Sequence, residues 1–233
     1  MSEVRVTVRS SSRTSVLILA APSGPVEVSG IVPALHALDD ALISEATAAV
    51  ERQGRGVACR LDCTACCYQL VPVTEMEAQY LNKIVDRLPA DQGQAVRVRA
   101  ASAVCRLDAA GLLPELGRID QLAQVEVESL AIRFFRTQVP CPFLDGGSCL
   151  IYEQRPLACR EYLVTSERER CEQFGEETVQ RLPMPVSLFS HVTRNGRIGS
   201  EPLVLALQRA EHRADSGHLL PATAHLKLLL EDG

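Results

Sequence analysis

Cysteine is the residue type in this chain with the clearest capacity for chemistry, and most of its cysteines fall in two groups. The first group, residues 59–67, reads Cys-Arg-Leu-Asp-Cys-Thr-Ala-Cys-Cys, and the second, residues 141–171, places four more in a stretch rich in Gly and Pro. The eight positions are Cys59, Cys63, Cys66, Cys67, Cys141, Cys149, Cys159 and Cys171. Two-residue spacing, as between Cys63 and Cys66, lets one turn present two sulfurs to the same metal. We therefore predict one metal centre built from both groups, with these eight thiols as candidate ligands.

The number of thiols bears on which metal is bound. One tetrahedral zinc ion needs four ligands, so eight thiols favour an iron–sulfur cluster, two metal ions, or a cluster with spare thiols for redox work. Arg155 and Arg160 are placed where they would donate hydrogen bonds to sulfur and tune such a centre. The five histidines lie outside both groups. We expect each to be a surface or satisfied core residue, with His191 the first candidate among them for a zinc ligand. An iron–sulfur cluster is the favoured cofactor and zinc the alternative.

Disulfide bonds are the main competing explanation for so many cysteines, and they need an oxidising compartment. The candidate for a secretion signal, residues 16–21, is shorter than the roughly seven to fifteen apolar residues that such a signal needs. No run approaches the roughly 18 apolar residues of a membrane span. We therefore expect a cytoplasmic protein with reduced thiols and no membrane partner.

Charge and aromatic content argue against nucleic acid as a partner. The formal net charge is -5, which gives no electrostatic attraction for phosphate backbones. Aromatic residues make up 4% of the chain and Trp is absent, so a base-stacking platform is not expected. The partners that remain are a metal ion or cluster and a protein that exchanges electrons or metal with it.

Hydrophobic periodicity predicts a mainly α fold with a small N-terminal β-hairpin and a loop-rich, cysteine-lined metal core packed on helices. Val4, Val6 and Val8 alternate with polar residues, so residues 4–8 and 15–20 are predicted to pair as strands. Helices are predicted over residues 33–52, from the capping box at Thr74 to Pro89, over 91–111 and 118–137, and near 201–213 and 221–230.

Several residues around the cysteines also carry predictions. A second capping box, Ser166 to Glu169, is predicted to open a short helix containing Cys171. Residues 151–156 are predicted to be a turn that holds Cys149 and Cys159 together, and Glu161 a surface partner of Arg160. In the helical segments, Val125 and Cys105 are predicted to be core residues.

No linker clearly divides the chain, and we describe it in three parts. Residues 1–56 are the N-terminal hairpin and helix, residues 57–175 the cysteine-cluster metal-binding domain, and residues 176–233 a C-terminal helical extension that packs on it.

Taken together, the two groups resemble a known family, the YkgJ-type cysteine-cluster proteins with the CxxCxxCC zinc- or iron-chelating domain. The matching stretches are Cys63-Thr-Ala-Cys66-Cys67, then Val71-Pro-Val-Thr74 and Glu77, and later Cys141-Pro-Phe-Leu, Cys149-Leu-Ile-Tyr-Glu-Gln-Arg-Pro and Cys159-Arg-Glu-Tyr. The resemblance covers about residues 59–171. It implies iron–sulfur or zinc binding and leaves the metal open. The family name implies two residues between the first two cysteines, whereas three separate Cys59 from Cys63.

Three functions are compatible with these features. The favoured one is a metal-binding protein with a redox or metal-handling role, and another is a purely structural zinc-binding module. The third is an S-adenosylmethionine-dependent enzyme, because Cys59, Cys63 and Cys66 match the spacing of radical enzymes and a related cluster occurs in flagellin lysine methylases. Against a radical enzyme, Ala65 replaces the expected aromatic residue, and no alternation of strands and helices for a barrel follows. The sequence identifies no catalytic residue.

Overall fold

The structure is a computed structural model, which describes residues 2–9, 14–172, 179–193, 198–209 and 219–230. Its α-helices are α1 (Val32–Glu51), α2 (Glu75–Arg87), α3 (Ala90–Ala109), α4 (Leu113–Leu116), α5 (Gln124–Arg136), α6 (Leu157–Glu161), α7 (Leu188–Thr193), α8 (Leu203–Arg209) and α9 (Ala222–Leu230). Its strands are β1 (Ser2–Arg9), β2 (Thr14–Ala21), β3 (Pro25–Val26), β4 (Pro72–Thr74), β5 (Leu144–Asp145), β6 (Ser148–Cys149), β7 (Ser200–Pro202) and β8 (Leu220–Pro221). The predicted fold class, mainly α with an N-terminal strand pair, is confirmed.

The N-terminal hairpin pairs β1 and β2 in antiparallel register, with Ser2 opposite Ala21 and Arg9 opposite Thr14. At its end the alternation seen in the sequence becomes an alternation of burial, because Ile18 is exposed while Leu19 is buried. Leu19 and Ala21 belong to the cluster of side chains that also contains the apolar faces of α1, α7 and α9.

The predicted capping box opens α2 as the sequence indicates. Thr74 Oγ1 accepts the N–H of Glu77 at 3.3 Å, and Glu77 Oε2 accepts the N–H of Thr74 at 2.9 Å. The helix then turns the side chains of Met76, Leu81 and Val85 into the core. Satisfying the free N–H groups of the first turn locally is what fixes this helix start.

α2 and α3 pack closely because Gly93 lies at their contact. A Cβ at this position would stand 2.9 Å from the backbone oxygen of Val85. α3 ends where predicted, since Gly111 adopts a positive φ of 70° that stops the helix.

The helix predicted over residues 118–137 is shorter than expected. Leu122 has extended backbone angles, which separate a 3-10 turn at Ile119–Gln121 from α5. Glu126 then accepts the N–H of Ala123 at 2.8 Å and fixes the start of α5. Val125, predicted to be in the core, is 70% exposed, so that prediction is wrong; Leu130 and Phe134 are buried as predicted.

Two further clusters complete the core around α8. One joins β4, α2, α3 and α8 and has Cys141 and Cys149 at its edge. The other joins α3, α4, α5 and α8. All five residues from Leu203 to Leu207 are buried, which agrees with a helix covered on every side. Cys141 and Cys149 therefore pack against the core cluster that includes α8.

Two short sheets link distant parts of the chain. β3 pairs with β8, and β4 pairs with β7 with Val73 opposite Glu201. The N–H of Leu203 also donates to the oxygen of Val71 at 2.9 Å. These pairings cross the boundaries of the three parts described from the sequence, and that division stays a prediction.

The described ranges contain no helix that combines the length and apolar character of a membrane span. Each sheet within those ranges has two strands, so this part of the chain forms no parallel barrel.

Candidate metal centre

The first cysteine group follows α1 and folds as a series of tight turns. The N–H of Cys63 donates to the oxygen of Arg60 at 3.0 Å, and that of Cys67 donates to the oxygen of Thr64 at 2.9 Å. The second of these turns is a 3-10 helix, Ala65–Tyr68. Turns of this kind bring thiols two or three residues apart onto one side of the backbone.

A backbone hydrogen bond joins the two cysteine groups. The N–H of Cys141 donates to the oxygen of Cys67 at 2.7 Å, although the two residues lie far apart in sequence. The N–H of Leu144 donates in turn to the oxygen of Cys141 at 3.0 Å, and Leu144 is the strand partner of Cys149. Cys67, Cys141 and Cys149 are thereby brought into one region by main-chain contacts alone.

The β5–β6 hairpin that carries Cys149 depends on its two glycines. Gly146 and Gly147 both have positive φ, 53° and 82°, a conformation that other residues rarely adopt. The tight turn returns the chain toward Cys141 within a few residues.

Cys159 and Cys171 lie on two further elements. Cys159 lies in α6, where its N–H donates to the oxygen of Pro156 at 2.9 Å. Cys171 lies in a 3-10 helix, Arg168–Glu172, which packs against the 3-10 helix Ala65–Tyr68. The short helix predicted around Cys171 is therefore present in 3-10 form, and the Oγ of Ser166 accepts the N–H of Gln180 at 3.1 Å.

Cys59 is attached to the segment that leads to Cys171. Its Sγ accepts the N–H of Val164 at 3.4 Å, and the N–H of Ala58 donates to the oxygen of Val164 at 2.9 Å. Residues 58 and 59 thus run alongside residues 163–165.

Electrostatic interactions divide the thiols into two sets. Burial, together with the nearby thiols of Cys149 and Cys66, raises the pKa of Cys141 to about 12. Burial also raises the pKa of Cys159 well above its ordinary value, and the nearby thiols of Cys141 and Cys66 contribute to the same shift. A hydrogen bond to Cys66 raises the pKa of Cys67, and burial adds to it. We call these five the inner set: Cys66, Cys67, Cys141, Cys149 and Cys159.

The remaining thiols interact with one another and with Cys66. Burial, together with Cys59, Cys63 and Cys66, raises the pKa of Cys171 to about 11. Burial likewise raises the pKa of Cys59, with further contributions from Cys63 and Cys66. We call these four the outer set: Cys59, Cys63, Cys66 and Cys171. Cys66 is the member that both sets share.

Arg155 and Arg160 were predicted to lie beside sulfur, and the structure separates them. Burial raises the pKa of Cys149, and the charge of Arg155 acts in the opposite direction, as it does at Cys159. The Arg155 guanidinium also lies over the Tyr152 ring, with Cζ 3.8 Å from the ring centre. Arg155 is therefore a cation that favours the charged form of several of these thiols.

Arg160 points toward α1, so the prediction that it lies near sulfur is wrong. It is buried, its Nη1 donates to the oxygen of Glu153 at 2.9 Å, it forms an ion pair with Asp40, and its Nε lies 3.6 Å from the carboxyl group of Asp39. The physical reason is helical geometry, because neighbours such as Cys159 and Arg160 leave a helix about 100° apart.

Glu161 was predicted to be a surface partner of Arg160, and this is also wrong. Its Oε1 accepts the N–H of Phe189 at 2.9 Å, and its other oxygen accepts the hydroxyl of Ser187. The carboxylate therefore caps the start of α7, where free N–H groups attract negative charge.

Two residues outside the groups can also be placed. His191 is buried, with Nε2 3.1 Å from the oxygen of Leu230, so it is a satisfied core residue. Cys105 was predicted to be core but is exposed. α3 buries Ala103 and Leu107 instead, and a residue midway between them projects from the other side of the helix.

Glu77 has a second role that the capping box did not reveal. Its Oε1 accepts the N–H of Leu157, the first residue of α6, at 2.7 Å, while its other oxygen caps α2. One buried carboxylate thus connects the starts of both helices, and α6 carries Cys159. The sequence offered only an indirect signal, because Glu77 is one of the residues on which the family resemblance rests.

A cleft of about 1010 Å³ lies against the cysteines. Cys66, Cys159 and Cys171 form part of its lining, and Val127 and Ala131 of α5 lie among its apolar residues. The cleft is large enough for a small ligand or for a side-chain-bearing segment of another protein.

The donor set fits a thiophilic metal. All nine cysteines are free thiols, and burial holds most of the clustered ones protonated. A metal ion would displace these protons, and its positive charge would then offset the negative charge of the thiolates. Among the residues that the structure describes, no three Cys, His, Asp or Glu side chains form a ready ligand set. Metal binding would therefore require some of these thiols to move.

Comparison with known proteins supports the same chemistry. The model of the CxxCxxCC family, described as a putative zinc- or iron-chelating domain, matches residues 58–183, more than half of the chain. No curated protein and no solved structure matches the chain.

Proposed function

Because the chain belongs to the CxxCxxCC family of zinc- or iron-chelating domains, we propose that it is a metal-binding protein whose clustered cysteines hold an iron–sulfur cluster. The observation that carries this proposal is the hydrogen bond between Cys141 and Cys67, at 2.7 Å, which joins the two cysteine groups. Around that junction the inner set contributes five thiols from three separate segments. A single tetrahedral zinc ion needs only four ligands.

The surroundings of the inner set support a cluster over a compact zinc site. No histidine belongs to it, and Cys141 and Cys149 pack at the edge of an apolar core. Arg155 supplies positive charge at the thiols, and such charge and hydrogen bonding set the reduction potential of iron–sulfur centres. The cleft beside Cys66 and Cys159 supports a redox or metal-handling role, because a partner protein could reach the thiols there.

Zinc is the alternative cofactor, and an S-adenosylmethionine-dependent enzyme is the alternative activity. Two zinc ions that share bridging thiolates would also use seven or eight cysteines. The radical form of the enzyme finds no support in the fold, since every sheet within the described ranges has two strands.

Anaerobic purification followed by iron, acid-labile sulfide and zinc analysis tests the proposal. We expect brown protein with comparable amounts of iron and sulfide. Zinc bound after aerobic purification would not decide the matter, because an oxidised cluster can be lost and replaced by zinc. Colourless, folded protein that contains zinc and no sulfide, even after cluster reconstitution, would contradict the iron–sulfur proposal.

A further inference from the structure

A short segment between α1 and the first cysteines, residues 52–61, carries positive charge on an acidic protein. It contains Arg52, Arg55 and Arg60 and no acidic residue, whereas the formal net charge of the chain is -5. All three arginines are exposed. We call residues 52–61 the arginine segment, and its local charge is opposite in sign to that of the whole molecule.

Ion pairs do not neutralise the guanidinium groups of the arginine segment. Glu51 and Asp62 flank the segment, yet within the described ranges no carboxylate forms an ion pair with any of its three arginines, although several arginines elsewhere in those ranges do pair. Arg55 donates a hydrogen bond at 2.7 Å to the side-chain oxygen of Gln53, which carries no charge. The electric field of the segment is therefore available to an approaching molecule.

The backbone of the arginine segment is held in place although its charged side chains are exposed. The N–H of Arg55 donates to the oxygen of Val50 at 3.0 Å, so the chain turns tightly after α1. At the other end, the N–H of Cys63 donates to the oxygen of Arg60 at 3.0 Å. A surface whose backbone is fixed before binding loses less conformational entropy when a partner binds. This rigidity distinguishes the segment from a loosely solvated loop.

An exposed apolar side chain accompanies these charges. Leu61 directly follows Arg60 and is 64% exposed. Protein interfaces combine apolar contacts with arginine, which is enriched there relative to the rest of the protein surface. Cys59 and Cys63 lie on either side of this pair in the chain. A molecule that contacts Arg60 and Leu61 would therefore be bound next to the first cysteine group.

We infer that the arginine segment is a docking surface for a partner protein with an acidic face, which binds beside the first cysteine group. This inference rests on the proposed function, because it gives the partner of the redox or metal-handling role its charge and its place of binding. Charge complementarity favours an acidic protein, since opposite charges steer two proteins together and suppress wrong partners. Three arginines are fewer than the roughly four to eight basic residues of a lipid-binding cluster.

Binding of a small acidic ferredoxin to the full-length protein, measured by surface plasmon resonance, tests this inference. We expect the association rate to fall as the ionic strength rises, because salt screens attraction between exposed charges. The combined variant Arg52→Gln/Arg55→Gln/Arg60→Gln should slow association about tenfold at low salt. The matched control removes the same charge from three arginines that are exposed elsewhere and should change the rate little: Arg87→Gln/Arg118→Gln/Arg136→Gln.

A second pair of variants tests the apolar contact. Leu61→Ala should speed dissociation of the ferredoxin, because lost contacts within an interface act mainly on the dissociation rate. Val98→Ala is its control, since Val98 is 56% exposed on α3 and lies outside the arginine segment. Val98→Ala should leave the dissociation rate unchanged.

The outcomes separate this inference from the proposed function. Equal slowing by the two triple variants would show that only net charge matters, and the inference is then overturned. It is also overturned if the folded protein, checked by circular dichroism, shows no salt-dependent binding of ferredoxin. Loss of binding to phosphatidylserine vesicles in the arginine-segment variant, with ferredoxin binding unchanged, would assign the segment to a membrane instead. Zinc-containing protein without sulfide that still binds ferredoxin through the arginine segment would contradict the iron–sulfur proposal alone.

Discussion

Cys66 and Cys67 are neighbours in the chain that face different surroundings. Cys66 lines the large cleft, whereas Cys67 lines a small pocket with Val139, Pro202 and Leu203. The Cys67 thiol donates a hydrogen bond to Cys66, which lowers the pKa of Cys66. The two neighbouring thiols therefore face different cavities, with Cys66 toward the cleft and Cys67 toward the small pocket.

At the residue scale, Cys159→Ser should strip most of the bound metal and lower solubility, because it removes a thiol from the centre of the inner set. The amount of metal bound per protein, measured together with the number of free thiols per protein, checks this expectation. Cys105→Ser is the matched control, since Cys105 is exposed on α3 and belongs to neither cysteine group. Loss of metal in Cys105→Ser with retention in Cys159→Ser would show that the ligand assignment is wrong.

Two buried groups on α1 give the stability a dependence on pH. Asp39 is fully buried, its carboxylate accepts no hydrogen bond within the described residues, and Arg160 Nε stands 3.6 Å away. Burial, reinforced by Glu161, raises the pKa of Asp39 from 3.8 to about 8. Burial, followed by the charge of Arg160, lowers the pKa of His36 from 6.5 to about 4.

Below pH 6.5 the two groups change the free energy of unfolding in opposite directions, and above pH 6.5 only Asp39 changes it. Between pH 3.8 and 8, folded Asp39 keeps a proton that the unfolded chain has released, so stability falls as the pH rises. Between pH 4 and 6.5, the unfolded chain holds a proton on His36 that the folded chain lacks, so stability rises. From pH 6.5 to 8 the contribution of Asp39 remains alone.

Asp39→Asn should therefore become more stable relative to the parent protein as the pH rises from 6.5 to 8. The expected change in the difference is about 1.5 kcal/mol, since each pH unit is worth about 1.4 kcal/mol for one proton. Urea unfolding of both proteins at the two pH values measures this difference in the free energy of unfolding. Because both proteins carry the same thiols, the effect of thiol titration is the same in each and drops out of the difference. An unchanged difference would mean that Asp39 is ionised in the folded protein.

At the scale of elements, Glu77 is the residue that connects α2 to α6. Glu77→Gln keeps one accepting oxygen and so can serve only one of the two helix starts. We expect it to cost about 2 kcal/mol, and Thr74→Ala, which removes a cap of α2 alone, about 1 kcal/mol. Chemical denaturation under reducing conditions gives both values. Equal costs would show that the contact with Leu157 adds nothing.

Local elements could be predicted from the sequence, and contacts between elements could not. The hairpin and α2 follow from alternation and from a capping box, which depend on neighbouring residues. Val125 was misplaced because it lies five and nine residues before Leu130 and Phe134, which puts it on the opposite side of α5 from these buried residues. Arg160 was misplaced because its direction depends on Asp39 and Asp40, which lie on α1 and far away in sequence. The cysteine positions were visible, but the contact between Cys67 and Cys141 depends on which loops meet.

At the scale of the whole molecule, bound metal should contribute to stability. A ligand that binds only the folded state, present at a hundred times its dissociation constant, adds about 2.7 kcal/mol. Treatment with a strong chelator under reducing conditions should therefore lower the thermal midpoint of the parent protein. Cys159→Ser, which lacks most of the metal, should respond little. If the parent protein has the same thermal midpoint with and without chelator, bound metal does not contribute to its stability and the prediction is wrong.

The pairing of β4 with β7 has a consequence for the order of events during synthesis. β4 follows the first cysteine group directly, but its partner β7 leaves the ribosome after every one of the nine cysteines. Contacts between segments so distant in sequence form slowly, and a chain emerging N-terminus first must wait for them. The nascent chain therefore exposes all its thiols before the scaffold beneath them closes. During that interval the thiols are open to oxidation or to the wrong metal, so correct loading depends on what the translating cell supplies at that moment.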